Sequence, residues 1–202
     1  TATLSGSTYA DVTIALAGTG TATNGLDYSI SNITIPAGTT TGTASFTPIE
    51  DSLYEGVDET AAIAISSVTG GGVTTGVTTS QSIVISDSDS APTVTLASSA
   101  NSVTEGDSAL TLTASLSVAT TGAVTVTLDT SGTATEGADY SSISDITIAA
   151  GSTAGSASFT VTDDSVYEGS EAATVTIGSV SGGSASAAGS GTSASITLAD
   201  NE

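Results

Sequence analysis

The feature that most constrains this 202-residue chain is an internal repeat. Residues 20–28 (Gly-Thr-Ala-Thr-Asn-Gly-Leu-Asp-Tyr) recur at 132–140, and residues 50–56 recur at 163–169, so the offsets are 112 (132 − 20) and 113 (163 − 50). A chain of this length suits one or two domains, and the repeat predicts two copies of one fold. Pro92 follows the acidic triplet 87–89 and opens a new apolar run. We therefore predict domains of residues 1–89 and 90–202.

Alternating apolar residues predict β-strands throughout the chain, and no segment has a sustained helical period. Disorder is the alternative for a Ser/Thr/Gly-rich acidic chain, but the period of two and the positive mean hydropathy of +0.28 argue against it. About seven short strands per repeat are typical of an immunoglobulin-like sandwich. The predicted fold class is all-β, with two tandem immunoglobulin-like Greek-key β-sandwiches. The predicted strands centre on Val12–Leu16, Ile33–Ile35, Ala44–Phe46, Ile63–Ile65, Ile83–Ile85, Val94–Leu96, Leu110–Leu116, Val124–Leu128, Ile146–Ile148, Ala157–Val161, Val175–Ile177 and Ile196–Leu198.

The first copy of the repeat is incomplete at its N-terminal side. Leu4 aligns with Leu116 and Val12 with Val124, so the counterpart of residues 92–111, including a first strand, is missing. A sandwich without that strand exposes a sheet edge and a slot in its core. Two explanations stay open: the chain is one part of a longer tandem array, or a neighbouring chain donates the missing strand.

The charge of the chain has a single sign, with 21 acidic residues and no Lys, Arg or His. Side-chain salt bridges are therefore impossible, and repulsion disfavours nucleic acid and anionic membranes as partners. No run is long and apolar enough for a membrane helix. The chain has no Cys, which excludes disulfides and leaves a bound metal ion as the remaining strong cross-link. The absence of trypsin sites suits exposure to proteases, so we expect an extracellular or cell-surface location. The sequence has neither an initiator Met nor a signal segment, which suggests a processed product or an excerpt.

The acidic residues concentrate at predicted strand ends, and 16 of the 21 fall into two matching sets. Strand ends at one pole of a sandwich converge, and clustered carboxylates without cationic partners need an external cation. Calcium is the first candidate, because it takes six to eight oxygen ligands from several carboxylates. The alternative, solubilising turn residues, does not explain why the positions recur. The second domain offers Glu105, Asp139, Asp163, Asp164, Glu168, Glu171, Asp200 and Glu202, and the first offers Asp27, Glu50, Asp51, Glu55, Asp58, Glu59, Asp87 and Asp89.

These motifs in combination resemble the Calx-beta domain family. They comprise Gly-Thr-Ala-Thr-x-Gly-x-Asp-Tyr, Ile-Thr-Ile-x-Ala-Gly, Asp-Asp-Ser-x-Tyr-Glu-Gly-x-Glu and a closing Asp-x-Asp/Glu. The resemblance covers one complete and one truncated copy, and it implies calcium bound at one pole through the second-domain acids above. Departures from the family pattern are Glu50 in place of the first Asp, and Ser88 and Asn201 within the closing triplets. The first domain also lacks a Glu105 equivalent, so we expect a weaker site, or one that another chain completes.

Catalysis has little support, since the chain offers no imidazole, thiol or amine for the common mechanisms. We therefore predict a protein that is not an enzyme. The resemblance implies a calcium-binding structural repeat of a bacterial stalk, filament or adhesin, in which Ca²⁺ rigidifies the domains and their linker. The alternatives are a calcium-sensing regulatory module and a carbohydrate-binding accessory module. The expected partners are further copies of the repeat and a surface or glycan ligand. Four recurring tyrosines are predicted to pack corners beside the site, and Phe46 and Phe159 to lie in the core.

Overall fold

A computed structural model describes residues 1–77 and 80–202. All regular structure in these residues is β, and none of them forms a helix of the length and hydropathy needed to cross a bilayer. The chain divides into two compact units. The first comprises Thr1–Asp51 and Val57–Ser88, and the second comprises Ser52–Gly56 and Asp89–Glu202. The boundary between residues 89 and 90 stays a prediction.

Nineteen strands form in the described residues, and most centre on the alternating apolar positions. Nine precede Pro92: β1 Ala2–Thr3, β2 Val12–Gly20, β3 Tyr28–Ile30, β4 Ile33–Ile35, β5 Thr41–Gly42, β6 Phe46–Pro48, β7 Leu53–Tyr54, β8 Glu59–Thr69 and β9 Gln81–Ile85. Ten follow it: β10 Thr93–Ser98, β11 Ser102–Thr104, β12 Leu110–Leu116, β13 Ala119–Thr120, β14 Val124–Gly132, β15 Ile146–Ile148, β16 Ala154–Phe159, β17 Glu171–Ser181, β18 Ser186–Ala187 and β19 Ser193–Ala199.

The second unit contains two main sheets that enclose one continuous apolar core. A four-stranded sheet has the order β16-β12-β10-β18, and a five-stranded sheet has the order β11-β19-β17-β14-β15. Burial alternates along residues 112–116 of β12 and 124–126 of β14, as the two-residue period of a strand requires. The first-strand segment switches sheets, because β10 pairs with β12 whereas β11 pairs in parallel with β19. A short parallel pair of β7 and β13 also belongs to this unit. The predicted all-β sandwich is confirmed.

The first unit has the same central sheet but only a remnant of the other one. Its β4-β2-β8-β9 order matches β15-β14-β17-β19, and β1 with β5 matches the end of the β12–β16 pair. In the described residues it has no counterpart of β10 or β11, as predicted. Its core correspondingly falls into two clusters instead of one.

The repeated motif requires glycine at one position, because the backbone of another strand lies very close to it there. Gly20 has φ +125°, and a Cβ there would lie 2.1 Å from the carbonyl oxygen of Thr60. Gly132 repeats this arrangement at φ +136°, with the carbonyl oxygen of Ala172 at 2.0 Å. Only glycine avoids both the strain and the collision, so this position at the end of the long strand requires glycine in both copies.

The aromatic predictions are confirmed in part. Tyr28 and Tyr140 are buried and stack on Phe46 and Phe159, with ring centroids 4.7 and 4.9 Å apart. Tyr167, however, is 76% exposed, so the prediction that it packs a corner is wrong. Phe159 is fully buried, whereas Phe46 is only half-buried. The short strands such as β11 and β18 were not predicted, because two or three polar-rich residues carry no readable alternation.

Candidate metal centre

Three of the predicted acids of the second unit lie at strand ends, whereas Asp139, Asp163, Asp164 and Glu168 lie in loops between strands. Asp139 is the buried member, with 8% of its surface exposed. One of its carboxylate oxygens accepts the N–H of Thr135 at 2.6 Å, and its backbone carbonyl accepts the N–H of Thr162 at 2.9 Å. Glu171 opens β17, and Asp139 is the neighbouring acid that perturbs it most. Backbone contacts thus hold the carboxylate of Asp139 in place.

Asp200, directly after β19, is the anchor of this acidic group. Its carboxylate accepts backbone N–H groups from Glu168 at 2.5 Å, Gly169 at 2.8 Å and Glu202 at 2.8 Å. These three hydrogen bonds lower the pKa of Asp200 below its ordinary value of 3.8. Asp200 therefore stays ionised and fixes two loop segments around one negative charge.

Glu105 approaches this anchor from the end of β11. Its backbone N–H donates to the carbonyl of Ala199 at 3.0 Å, which continues the parallel pairing of β11 with β19. One carboxylate oxygen each of Glu105, Asp200 and Glu202 lies within 4.8 Å of the other two. Within the described part of the chain, Oε2 of Glu105 is buried without a hydrogen-bond partner. A buried acceptor with no protein donor is a position where a bound cation would be stabilising.

The acidic residues of the second unit perturb one another. Burial first, and then neighbouring carboxylates, raise the pKa of four glutamates above the ordinary 4.5. For Glu105 the neighbours are Asp200, Asp164 and Asp163. The other three raised groups are Glu168, Glu171 and Glu202, with Asp139 among the neighbours of the first two. Electrostatic interactions thus link the eight predicted second-domain acids, which we call the acidic pole, and their role as metal ligands stays a prediction.

Asn201 is a member of this region that sequence reasoning treated only as an interruption of the closing triplet. Its side-chain amide donates to the carbonyl oxygen of Glu105 at 3.1 Å and to Oδ1 of Asp163 at 2.9 Å. In the first unit the equivalent Ser88 donates its hydroxyl to Glu50 at 2.5 Å. The middle residue of each triplet thus holds the first acid of the Asp-Asp or Glu-Asp pair. The shared position in both triplets was the signal available in the sequence.

The first unit reproduces part of this arrangement. Asp27 accepts the N–H of Thr23 at 2.5 Å, as Asp139 accepts that of Thr135. Carboxylate oxygens of Asp27 and Glu59 lie within 4.8 Å of each other. Two predicted residues, Glu55 and Asp89, fall in stretches that cluster with the second unit. A metal role for the remaining predicted acids, Asp51, Asp58 and Asp87, stays a prediction.

The acidic pole fits a hard, oxygen-seeking cation. It offers carboxylate oxygens from five separate segments of the second unit, and the sequence contains no Lys, Arg or His that could neutralise them. Such a donor set, without sulfur or imidazole, suits Ca²⁺ and not the softer metals. Calcium bound there would supply the positive charge that these carboxylates lack.

The raised pKa values predict that, in calcium-depleted buffer, the stability of the second unit depends on pH with the opposite sign to that in calcium. Glutamates whose folded-state pKa exceeds the ordinary 4.5 bind more protons folded than unfolded. Stability of the metal-free second unit should therefore rise as the pH falls from 8 towards 5, and Asp200 opposes this only below about its ordinary 3.8. With saturating calcium the sign reverses, because protons compete with the ion. Urea unfolding at pH 8 and pH 5, with and without calcium, measures both slopes, and parallel slopes would contradict the prediction.

Comparison with known proteins identifies the class and then the family. The two units and the acidic pole define the class of the protein: a tandem β-sandwich protein with a carboxylate cluster of the kind that binds cations. The sequence profile of the Calx-beta domain matches residues 2–89 and 87–202, so the chain belongs to the Calx-beta family. This membership agrees with the prediction of calcium as the ion. A search of curated proteins found no match.

Three solved structures are similar to this chain. The apo form of the Calx CBD1 domain is 18% identical, with a TM-score of 0.45, and the match covers 55% of this chain and 99% of that one. CBD12 from CALX1.2 is 19% identical, with a TM-score of 0.46, over 97% of this chain and 90% of that one. The calcium-binding domain CBD12 of CALX1.1 is 20% identical, with a TM-score of 0.35, over 88% of this chain and 71% of that one.

Proposed function

We propose that this chain is a non-catalytic calcium-binding repeat module with a structural role, in which the bound ion stabilises the folded domain. One observation carries the proposal: carboxylate oxygens of Glu105, Asp200 and Glu202 lie within 4.8 Å of one another in a chain that has no cationic side chain. Without an ion, their mutual repulsion disfavours the folded state. With an ion, several strand ends and loops are tied to one point. The family assignment supports calcium as that ion.

The setting that suits such a module is an extracellular stalk, filament or adhesin segment. Extracellular sites function with dissociation constants of roughly 10⁻⁴ to 10⁻³ M, because calcium outside cells is abundant. An ion at 100 times its dissociation constant adds about 2.7 kcal/mol to the stability of a domain. Absence of disulfides and of trypsin sites supports a protein that relies on metal for durability outside the cell. The closing triplet, which includes Asp87 and Asp89, lies at the domain junction in the sequence, so calcium there would also stiffen the linker.

The second candidate function is a calcium-sensing regulatory module. It is compatible with membership of the Calx-beta family, which supports calcium binding without fixing the use to which the ion is put. A sensor needs tight sites that fill and empty as calcium changes, whereas a structural module needs only sites that stay full. A carbohydrate-binding accessory role would require glycan binding at saturating calcium, and no described feature favours it.

Calorimetric titration of the whole chain with calcium separates the two candidates. We expect dissociation constants of about 10⁻⁴ to 10⁻³ M, which fits a structural module. Constants near 10⁻⁶ M with positive cooperativity would contradict the structural proposal and favour the sensor. Magnesium serves as the control ion, since it prefers a smaller octahedral shell with retained water.

A further inference from the structure

The turn formed by residues 23–28 of the first unit contains the peptide bond between Asn24 and Gly25. The chain has four asparagines, and Asn24 is the one that precedes a glycine. The side-chain amide of an asparagine can be attacked by the backbone nitrogen of the next residue, and glycine has no side chain to hinder that approach. Asn32, by contrast, precedes Ile33, whose β-branched side chain crowds the same nitrogen. This chemistry therefore concentrates on Asn24.

The surroundings of Asn24 leave room for the reaction. Asn24 and Gly25 are both exposed. Gly25 has φ +92°, and a Cβ built there would meet no atom within 4 Å beyond its immediate chain neighbours. A cyclic imide that joins these two residues would therefore not collide with the rest of the unit.

The folded turn nevertheless protects the attacking nitrogen. The N–H of Gly25 donates to the carbonyl oxygen of Tyr28 at 2.7 Å, and the N–H of Asp27 donates to the carbonyl oxygen of Thr23 at 2.9 Å. A nitrogen held in this way cannot reach Cγ of Asn24 until the turn opens. Exposed turns open locally at a lower free energy than core strands do. Opening of the 23–28 turn should therefore set the rate.

From these contacts we propose that Asn24 is a site of spontaneous deamidation, gated by opening of the 23–28 turn. The nitrogen of Gly25 bonds to Cγ of Asn24, the Cγ–Nδ2 bond breaks, and the side-chain nitrogen leaves as ammonia with the backbone proton. Water then opens the cyclic imide. Hydrolysis at Cγ gives an aspartyl residue, whereas hydrolysis at the backbone carbonyl carbon gives an isoaspartyl residue, whose main chain runs through Cγ.

The second unit shows what the aspartyl product would do. Glu136 occupies the position equivalent to Asn24, and Gly137 has φ +88°. The N–H of Gly137 donates to the carbonyl oxygen of Tyr140 at 2.7 Å, as in the first unit. The same turn thus forms with a carboxylate at this position. The aspartyl product should therefore keep the turn of the first unit and add one negative charge to it.

The isoaspartyl product would have the opposite effect. It inserts one further carbon into the main chain, inside the turn that positions Asp27. In the intact turn the carboxylate of Asp27 accepts the N–H of Thr23 at 2.5 Å, and its own N–H returns to Thr23 at 2.9 Å. A lengthened main chain cannot keep both hydrogen bonds, so Asp27 would leave its place beside Glu59. The consequence for calcium rests on the proposed function, whereas the modification itself does not.

The modification is tested by incubation of the whole chain in mildly alkaline buffer with chelator, followed by peptide mapping with mass spectrometry. An endoproteinase that cleaves before aspartate releases residues 11–26, which contain Asn24. We expect deamidation at Asn24 ahead of the other three asparagines. The aspartyl product gains a cleavage before residue 24, and the isoaspartyl product does not. A synthetic peptide of residues 20–30 lacks the folded turn and should react at least about tenfold faster than the chain.

The matched control is Asn24→Glu, which copies the second unit and should gain no charge at this position. A chain that stays unmodified at Asn24 while the peptide reacts to completion would overturn the proposal, as would deamidation spread evenly over the four asparagines. Equal rates in chain and peptide would overturn the gating by the turn. For the products, hydrogen exchange in residues 23–28 should be faster in the isoaspartyl chain and unchanged in Asn24→Asp. Equal exchange in both would contradict the loss of the turn.

A calcium arm separates this inference from the proposed function. If Asp27 helps to hold calcium, the ion should stabilise the closed turn and slow deamidation of Asn24. The isoaspartyl chain should then bind calcium more weakly in its first unit, whereas Asn24→Asp should not. Deamidation at Asn24 in a chain that binds no calcium would leave the modification intact and overturn the proposed function. Calcium binding without deamidation would do the reverse.

Discussion

Replacement of Phe159 with alanine is expected to destabilise the second unit by about 3–5 kcal/mol, the usual cost of removing a buried phenylalanine. The ring is fully buried, stacks on Tyr140 at 4.9 Å and contacts a continuous core. The surrounding sheets cannot collapse into the space, because strands of both sheets are fixed by their ladders. In a unit of this size the change corresponds to a fall of roughly 10 °C or more in Tm.

The first copy provides the matched control for this experiment. Phe46 occupies the equivalent position and stacks on Tyr28 at 4.7 Å, but it is only half-buried. Phe46→Ala should therefore cost less than about 2 kcal/mol, since less apolar surface returns to water. Hydrogen exchange resolves the two units within one chain and reports each loss separately. Equal losses in the two units would contradict the difference in burial between Phe159 and Phe46.

Replacement of Glu105 with glutamine is expected to weaken calcium binding by the second unit at least about tenfold, or 1.4 kcal/mol. The substitution keeps the shape of the side chain but removes a charge that lies within 4.8 Å of the carboxylates of Asp200 and Glu202. In chelator the same substitution should slightly stabilise the unit, because repulsion from Asp200, Asp164 and Asp163 disappears. We therefore expect Glu105→Gln to destabilise the second unit in calcium and to stabilise it slightly in chelator.

The control for this substitution is Asp145→Asn. Asp145 is an exposed carboxylate at the start of β15, so its removal tests the loss of one negative charge anywhere on the unit. It should leave calcium affinity and calcium-dependent stability nearly unchanged. If Glu105→Gln and Asp145→Asn reduce calcium affinity equally, the acidic pole acts only as diffuse charge. Calorimetric titration and thermal melts of both variants, with and without calcium, make the comparison.

The central sheets were predictable because their strands follow a two-residue alternation that the repeat presents twice. Val124 and Val126 and their counterparts Val12 and Ile14 are buried as the pattern requires. The short strands were not predictable, since β11 owes its place to pairing with β19 and not to its own composition. Tyr167 shows the limit of arguments from recurrence, because a residue can repeat and still be exposed.

The sequence predicts which residues belong to the candidate site but not the hydrogen bonds that hold them in place. Glu105 and Asp200 were predicted as partners from their places at predicted strand ends and from the Calx-beta resemblance, although 95 positions (200 − 105) separate them. The three backbone N–H groups that hold Asp200 depend on loop conformations that no side-chain pattern specifies. The hydrogen bond from Asn201 to Asp163 could not be predicted for a related reason. The side-chain amide is uncharged, so nothing in the acidic triplet indicates which residue it would contact.

The central claim is that a calcium ion holds the carboxylates of each complete repeat together. The most direct measurement is a pair of thermal melts of the whole chain, one in EGTA and one in millimolar calcium, with magnesium as the control ion. The account predicts a calcium-specific rise in Tm of the second unit that corresponds to about 2.7 kcal/mol per filled site at 100 times the dissociation constant. Identical melting curves in EGTA and calcium would contradict it, because the acidic residues would then be only a solvated surface.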